Sequence, residues 1–390
     1  MSRRPLRIVV AGFFVGFPLG GQAWMVLHYL VGLARLGHEV LFVEDASDWA
    51  YPFDPAVGHG VSDSSHGRAV LTDMLARHGL AGRSFYRSDI EGRTFGVSPD
   101  EMRRFCAQAD LFLNVSGVVP LREEYLAPRV RAFIDTDPVF TQVKIERDQG
   151  MRDYVLAHEH FFTYGLNLPS GGVPDVPLSG LDWRPLAPPV VLDLWDGGVS
   201  PGRGYTTIGT WDAKDRDLEI GGRRLSWRKS LKYEAMIDLP SRLPGVELDL
   251  TMSGMKEAAP RFADAGWIVR DALEMSADPY VYRDYILGSK AHFSLAKDQN
   301  VLLGSGWFSD RSASYLAAGK PVIDEDTGFG AVLPTGEGLF AFEGPDAAVA
   351  AIRAVEADPV RHGRAARKIA EEHFDAAKVL SGLLAAVGLG

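Results

Sequence analysis

The stretch GSGWFSDRSASYLAAGKPVIDEDTGFG, residues 304–330, decides how the chain is read. Ser309 stands where a helix N-cap is expected, Asp310-Arg311-Ser312 would form the first turn, and Gly319 with Pro321 beyond it would end the helix. The run PVIDED (321–326) then reads as a strand. A helix start presents N–H groups that no carbonyl of the helix takes, together with a partial positive charge, so it attracts a phosphate. Arg311 would add a forked cation, Gly304 and Gly306 would let the backbone approach closely, and Ser309 and Ser312 would donate further hydrogen bonds. The plainer account is that Ser309 only caps and Asp310 only complements the helix dipole.

Outward from this stretch, strands and helices alternate. YTTIGTW (205–211), VELDLTMSG (246–254), WIVRDA (267–272), AHFSLAK (291–297), PVIDED (321–326) and GLFAF (338–342) read as strands, with helices near 229–238, 279–288, 310–318 and 346–357. The first part of the chain repeats the alternation with LRIVVAGF (6–13), HEVLFVED (38–45), DLFLNVSG (110–117), RVRAFIDTD (129–137) and HFFTYG (160–165). Such short, continuous apolar runs fit parallel strands covered on both faces. Between the two series, residues 165–204 hold seven prolines, which forbid a continuous helix or a central strand. The expected organisation is α/β, with two doubly wound, Rossmann-like domains facing across a cleft. Residues 1–165 form the first, 166–204 a linker and 205–372 the second, and a helix over 373–390 is placed to pack back on the first. Ligands of open α/β sheets bind at the carboxyl ends of the strands, so the site is expected in the cleft.

Composition bounds the partners. With 390 residues, 46 % of them apolar, and a net charge of −10, the chain reads as globular, acidic and two-domain, and no Lys/Arg cluster marks a basic face. The expectation is therefore no nucleic acid. The single cysteine, Cys106, falls in a helical pattern and reads as a packed thiol of a cytoplasmic protein. The opening MSRRPLRIVVAGFFVGF reads as a first strand rather than a signal peptide, and no apolar run is long enough for a membrane span.

From SYLAAGKPVI (314–323) through DTGFG (326–330), TGEGLFAFEGPDAAVAAI (335–352) and ARKIAEEHFDAAKVLSGLL (366–384), the sequence resembles the C-terminal half of retaining-type GT-B glycosyltransferases. The N-terminal end is similar too, with a glycine loop at Gly20-Gly21 after the first strand and then LVGLARLGHEVLFVED. The resemblance implies a nucleotide-sugar donor on the C-terminal domain and most of the acceptor on the N-terminal one. It places Gly20, Gly21, Ser309, Asp310, Arg311 and Ser312 toward the donor, with Thr327, Gly328 and Phe329 offering backbone N–H groups. It also calls for a basic residue on the diphosphate, for which Lys229 is the candidate and Lys232 the alternative. The family's pair of glutamates is absent: those positions read Gly306 and Ser314, leaving ribose recognition to another residue such as Asp310.

Asp135-Thr136-Asp137 ends a strand and matches a short Asp-x-Asp signature; Asp215/Asp217 and Asp324/Asp326 match it as well. At a strand's carboxyl end, Asp135 or Asp137 would be placed to take a proton from an acceptor hydroxyl, and loop capping is the bland alternative. His158 and His160 would share one face of a strand, and His28 lies on the first helix behind the glycine loop; His160 and His28 are the other candidates for the base. Gly198-Val199-Ser200-Pro201-Gly202 matches a nucleophile elbow in form only, because Pro201 has no N–H for an oxyanion hole. The expected activity is transfer of a sugar from a nucleotide diphosphate, the co-substrate, to a hydroxyl or amine of a small molecule, lipid or glycan. No obligatory cofactor or metal is expected. A sugar-nucleotide epimerase and a non-catalytic binding protein share the architecture.

Overall fold

A computed structural model describes residues 4–48, 50–169, 173–197, 202–213 and 216–390. The N-terminal sheet contains β1 (Arg7–Ala11), β2 (Glu39–Ala46), β3 (Ser84–Ser88), β4 (Arg93–Gly96), β5 (Leu111–Val115), β6 (Val130–Asp135), β7 (His160–Thr163) and β8 (Trp183–Pro185). Their spatial order is β8-β7-β6-β5-β1-β2-β3-β4, parallel except for β4. Ile8, Val9, Val10 and Ala11 are all fully buried, as the continuous apolar run requires. β3 and β4 come from the part of the chain, 46–100, that carries no clear pattern. β8 comes from the proline-rich linker; it is an edge strand that ends at Pro185, one of the few places a sheet tolerates proline.

The second sheet contains β9 (Arg203–Thr210), β10 (Leu248–Ser253), β11 (Ile268–Arg270), β12 (Ser289–Ser294), β13 (Val322–Glu325) and β14 (Leu339–Phe342), in the order β11-β10-β9-β12-β13-β14 and all parallel. In each sheet the winding reverses beside the first strand, which opens a crevice between β1 and β5 and another between β9 and β12.

The helices that matter for the site are α1 (Gly20–Arg35), α2 (Phe140–Arg147), α3 (Pro279–Leu287), α4 (Asp310–Ala317), α5 (Gly344–Ala357), α6 (Pro359–His373) and α7 (Ala376–Ala386). α7 returns to the N-terminal domain and packs on α1, where a Cβ on Gly32 would lie 2.5 Å from Leu380 Cδ1. One apolar cluster runs without a break from Ile8 and Trp24 through Tyr282 and Phe308 to Leu316 and Phe374, so the domains share a core as well as a cleft. Among the described residues no helix is long and apolar enough to cross a membrane.

Candidate active site

The crevice of the second sheet is built on α4. Ser309 caps the helix by accepting the Ser312 N–H at 3.0 Å, and Ser312 Oγ donates to Asp324 Oδ2 at 2.6 Å. Burial pushes the Asp324 carboxyl up to about 6, although Ser312, Arg311 and Lys229 pull the other way. Arg311 does not reach out as a fork. Its Nη1 donates to the Ile208 carbonyl at 2.5 Å and its Nη2 to Ser294 Oγ at 3.2 Å, so the guanidinium lies across the ends of β9 and β12. Burial pushes the Asp310 carboxyl up, and Arg311 and the first backbone N–H groups of α4 oppose the shift. Ser294, Ser309, Arg311, Ser312 and Asp324, with Trp307, Glu325, Thr327 and Phe329, line a cavity of about 10 Å³. That is less than the ~300 Å³ at which small-molecule sites begin.

Lys229 stands in the N-cap position of the short helix Ser230–Glu234. Among the described residues its side chain has no hydrogen-bond or ion-pair partner. Burial lowers its pKa well below the usual lysine value, and Arg311 and Lys297 lower it further against Asp324 and Glu325. Lys232, the alternative, is committed to Glu325 at 3.0 Å and Asp298 at 3.3 Å.

From the other domain, Asp135 and Asp137 follow β6 and divide the work. Asp135 is 1 % exposed, and burial pushes its carboxyl up while Gln142 and Thr163 bond to it. Asp137 crosses the cleft to Lys297, with Oδ1 2.9 Å from Nζ. Among the described residues no third carboxylate or imidazole joins the two in a metal-sized cluster.

Several expected site residues lie elsewhere or are already engaged. His28 is 2 % exposed, its ring nitrogens facing the Val191 N–H at 3.1 Å and Trp195 Nε1 at 3.0 Å, and burial lowers its pKa to about 3. It holds the linker to α1. His160 opens β7 and so sits at the amino edge of a parallel sheet, away from the cleft. His158 is buried beside Asn114. Gly20 and Gly21 abut Tyr282 of α3: a Cβ on Gly20 would lie 2.3 Å from the Tyr282 Cβ. The loop after β1 is occupied by the protein itself, because Glu44 accepts the N–H groups of Phe14, Val15 and Gly16 at 2.7, 2.6 and 2.8 Å.

The turn at 327–329 is likewise tied down. Thr327 Oγ1 donates to the Trp307 carbonyl at 2.7 Å, the Gly328 N–H goes to Asp326 Oδ1 at 2.7 Å, and Phe329 is buried against Phe308. Asn167 Nδ2 spans the Gly304 and Gly328 carbonyls at 3.0 and 2.9 Å. The same residue crowds position 306. Gly306 has φ 72°, and a Cβ there would lie 2.7 Å from Asn167 N. Ser314, at the second glutamate position, turns its Oγ back to the Asp310 carbonyl at 2.9 Å. Asp215 and residues 198–201 of the Gly-x-Ser-x-Gly match lie outside the described residues.

Lys297, Asn167 and Glu44 were not singled out from the sequence. The rule that selected Asp135 and Asp137, a charged group at the carboxyl end of a strand, applies equally to Lys297 at the end of AHFSLAK. The same rule reaches Glu44 near the end of HEVLFVED, whereas Asn167 carries no sequence signal, since it is defined by backbone groups distant in the chain.

No protein-family model matches the sequence, and no curated protein does. Solved structures do match over essentially the whole chain. An alpha-glucosyltransferase in complex with UDP and a 13-mer DNA superposes with a TM-score of 0.60 at 11% identity, covering 99% of this chain and 100% of that one. Anabaena Alr3699/HepE in complex with UDP and glucose gives 0.57 at 11% identity, covering 98% and 99%. A glycosyltransferase from Rickettsia africae gives 0.53 at 10% identity, covering 99% and 98%. These matches correct the expectation that nucleic acid is excluded. The alpha-glucosyltransferase structures hold DNA with a mismatch or an abasic site, so this fold accommodates nucleic acid beside UDP. Net charge is an average over the surface and does not decide what one face binds. At these identities the likeness is one of fold, and it agrees with the sequence resemblance from end to end: the chain has the GT-B fold, two Rossmann-like domains facing each other across a cleft.

Proposed function

We propose that this chain is a glycosyltransferase that moves a sugar from a nucleoside diphosphate to a hydroxyl or amine acceptor. The observation that carries the reading is the Lys229 side chain, which lies beside Arg311 at the carboxyl edge of the second sheet and makes no hydrogen bond or ion pair among the described residues. A diphosphate seated there would favour the protonated form of Lys229, and its charge grows as the sugar leaves, so an ammonium held beside it lowers the barrier. Arg311 contributes through the sheet edge it braces. Ser309, Ser312 and the turn at Thr327, Gly328 and Phe329 shape the crevice, and Asp310 is the candidate for the ribose. Asp137 faces this group from the acceptor domain. The matched structures hold UDP or UDP-glucose, which favours a uridine nucleotide. Acceptors to consider are small molecules, lipids, glycans and nucleic acid. A cytoplasmic setting suits the one cysteine, which is buried as a thiol.

The test is a thermal-shift comparison of UDP, dTDP, GDP and ADP on wild type and Lys229→Met. A ligand at a hundred times its Kd stabilises by about 2.7 kcal/mol. One diphosphate should shift wild type and lose about tenfold or more of its affinity in the variant, as expected for a charge-assisted contact. No shift with any of them sinks the reading. Transfer is then assayed with labelled UDP-glucose on glycan, lipid and DNA acceptors, one of them a duplex carrying an HMU base. Tight binding without transfer to any acceptor would move the chain to the non-catalytic class.

A further inference from the structure

The loop after β6 is held more firmly than a surface loop requires. Asp135 accepts from Gln142 Nε2 at 2.9 Å, Thr163 Oγ1 at 2.8 Å and the Asp137 N–H at 3.0 Å. Gln142 in turn accepts the Val139 N–H at 2.7 Å. Val139 itself sits at φ 73° and ψ −53°. A β-branched residue avoids that conformation, at a cost of about 1–3 kcal/mol. The outcome is a fixed position for Asp137, which leaves its own domain to meet Lys297.

Lys297 is fixed from other directions. Its ammonium lies 3.4 Å from the centre of the Trp227 ring, and Phe140, the first residue of α2, packs edge-on against the same ring at 4.9 Å. Asp137 and Phe140 of one domain thus meet Lys297 and Trp227 of the other in a single seam. Lys297 follows the end of β12, where the second sheet's crevice opens, close enough to Lys229 to act on its ionisation. Three cations, Lys229, Arg311 and Lys297, surround the crevice, and the one nearest the acceptor domain is neutralised by a carboxylate of that domain.

We propose that Lys297 is a ligand for the donor's diphosphate, and that Asp137 occupies its place until a donor arrives. The inference rests on the donor reading above. Trp227 keeps the ammonium in position while the partner changes from carboxylate to phosphate, and no covalent bond is made or broken. Donor affinity then includes the cost of parting Asp137 from Lys297. The carboxylate is released toward the acceptor only once the donor is seated, so donor binding precedes acceptor activation.

Calorimetric titration of UDP into the full-length protein tests this. Asp137→Asn removes the competing charge and should tighten UDP about two- to fivefold, in line with a partly exposed ion pair. Lys297→Met should weaken UDP at least tenfold, and Lys297→Arg should retain most of the affinity. The double variant should bind no more tightly than Lys297→Met alone, because the gain from Asp137→Asn acts through Lys297. Asp137→Ser repeats the comparison if the amide variant does not fold. An Asp137→Asn protein that binds UDP no better than wild type, with Lys297→Met unaffected, overturns the inference while the donor reading stands. A wild type that binds no nucleoside diphosphate overturns both.

Discussion

The two sheets wind the same way and reverse beside their first strands, yet their crevices have been filled differently. In the first, the backbone N–H groups after β1 converge on an anion site, and the protein supplies the anion: Glu44, 1 % exposed, satisfies three of them. In the second, Arg311 is spent on the sheet edge, Lys297 is paired from across the cleft, and the Lys229 side chain has no hydrogen-bond or ion-pair partner among the described residues. Topology marks both places as binding sites, but only the pairing of individual side chains separates the sealed one from the one that keeps an unpaired lysine among the described residues. The resemblance of the loop around Gly20-Gly21 to a donor-binding glycine loop therefore misleads, since those glycines serve a close approach of α1 to Tyr282.

The largest effect should come from unsealing the first crevice. Glu44→Ala leaves three buried N–H groups without an acceptor, and at about 1–3 kcal/mol each the variant should lose about 3 kcal/mol or more in urea denaturation. A loss under about 1 kcal/mol would mean that water takes the carboxylate's place, and the contrast between the crevices would fail. Burial pushes Glu44 up to about 7 from 4.5, so in that window the folded state binds more protons than the unfolded. Stability attributable to this group accordingly falls as pH rises from about 4.5 to 7, and Glu44→Gln should remove that slope.

A smaller effect is expected at the junction of α1 and α3. Alanine normally favours a helix over glycine by about 1 kcal/mol. At Gly20 the added Cβ would lie 2.3 Å from Tyr282 Cβ, so Gly20→Ala should instead destabilise by about 1–3 kcal/mol in thermal melts. Stabilisation would show that the domains do not approach so closely.

The smallest change sharpens the second crevice. Lys229 has its pKa lowered in the fold, so at high pH, from its folded value up to 10.5, the unfolded chain binds more protons and stability rises with pH. Lys229→Met should abolish that rise and, at neutral pH, leave stability equal or higher by under about 1 kcal/mol even as donor affinity falls. A clear loss of stability would mean that Lys229 has a structural partner.

Much of the fold was legible because parallel strands declare themselves as continuous apolar runs, and VVA in β1 and VIDE in β13 could be read directly. β3 and β4 were not, because SFYRS interrupts its buried Phe85 and Tyr86 with a charge and RTFG is a short, mostly uncovered edge strand. The helix start at Ser309 was legible from its cap, but the direction of the Arg311 side chain was not. That direction depends on the Ile208 carbonyl, a hundred residues away in the chain. Asp135 and Asp137 were readable as a pair, while their separate duties, one anchoring a strained loop and the other spanning the cleft, appear only once the domains are assembled.

Gly306 carries a consequence for how the chain can change. With a Cβ there lying 2.7 Å from Asn167 N, no side chain fits at 306 unless residue 167 and the carbonyls it bridges move first. A substitution there loses those bonds before the new side chain can gain any contact of its own. Position 306 is thus closed to change in a single step, and variation there has to begin at residue 167.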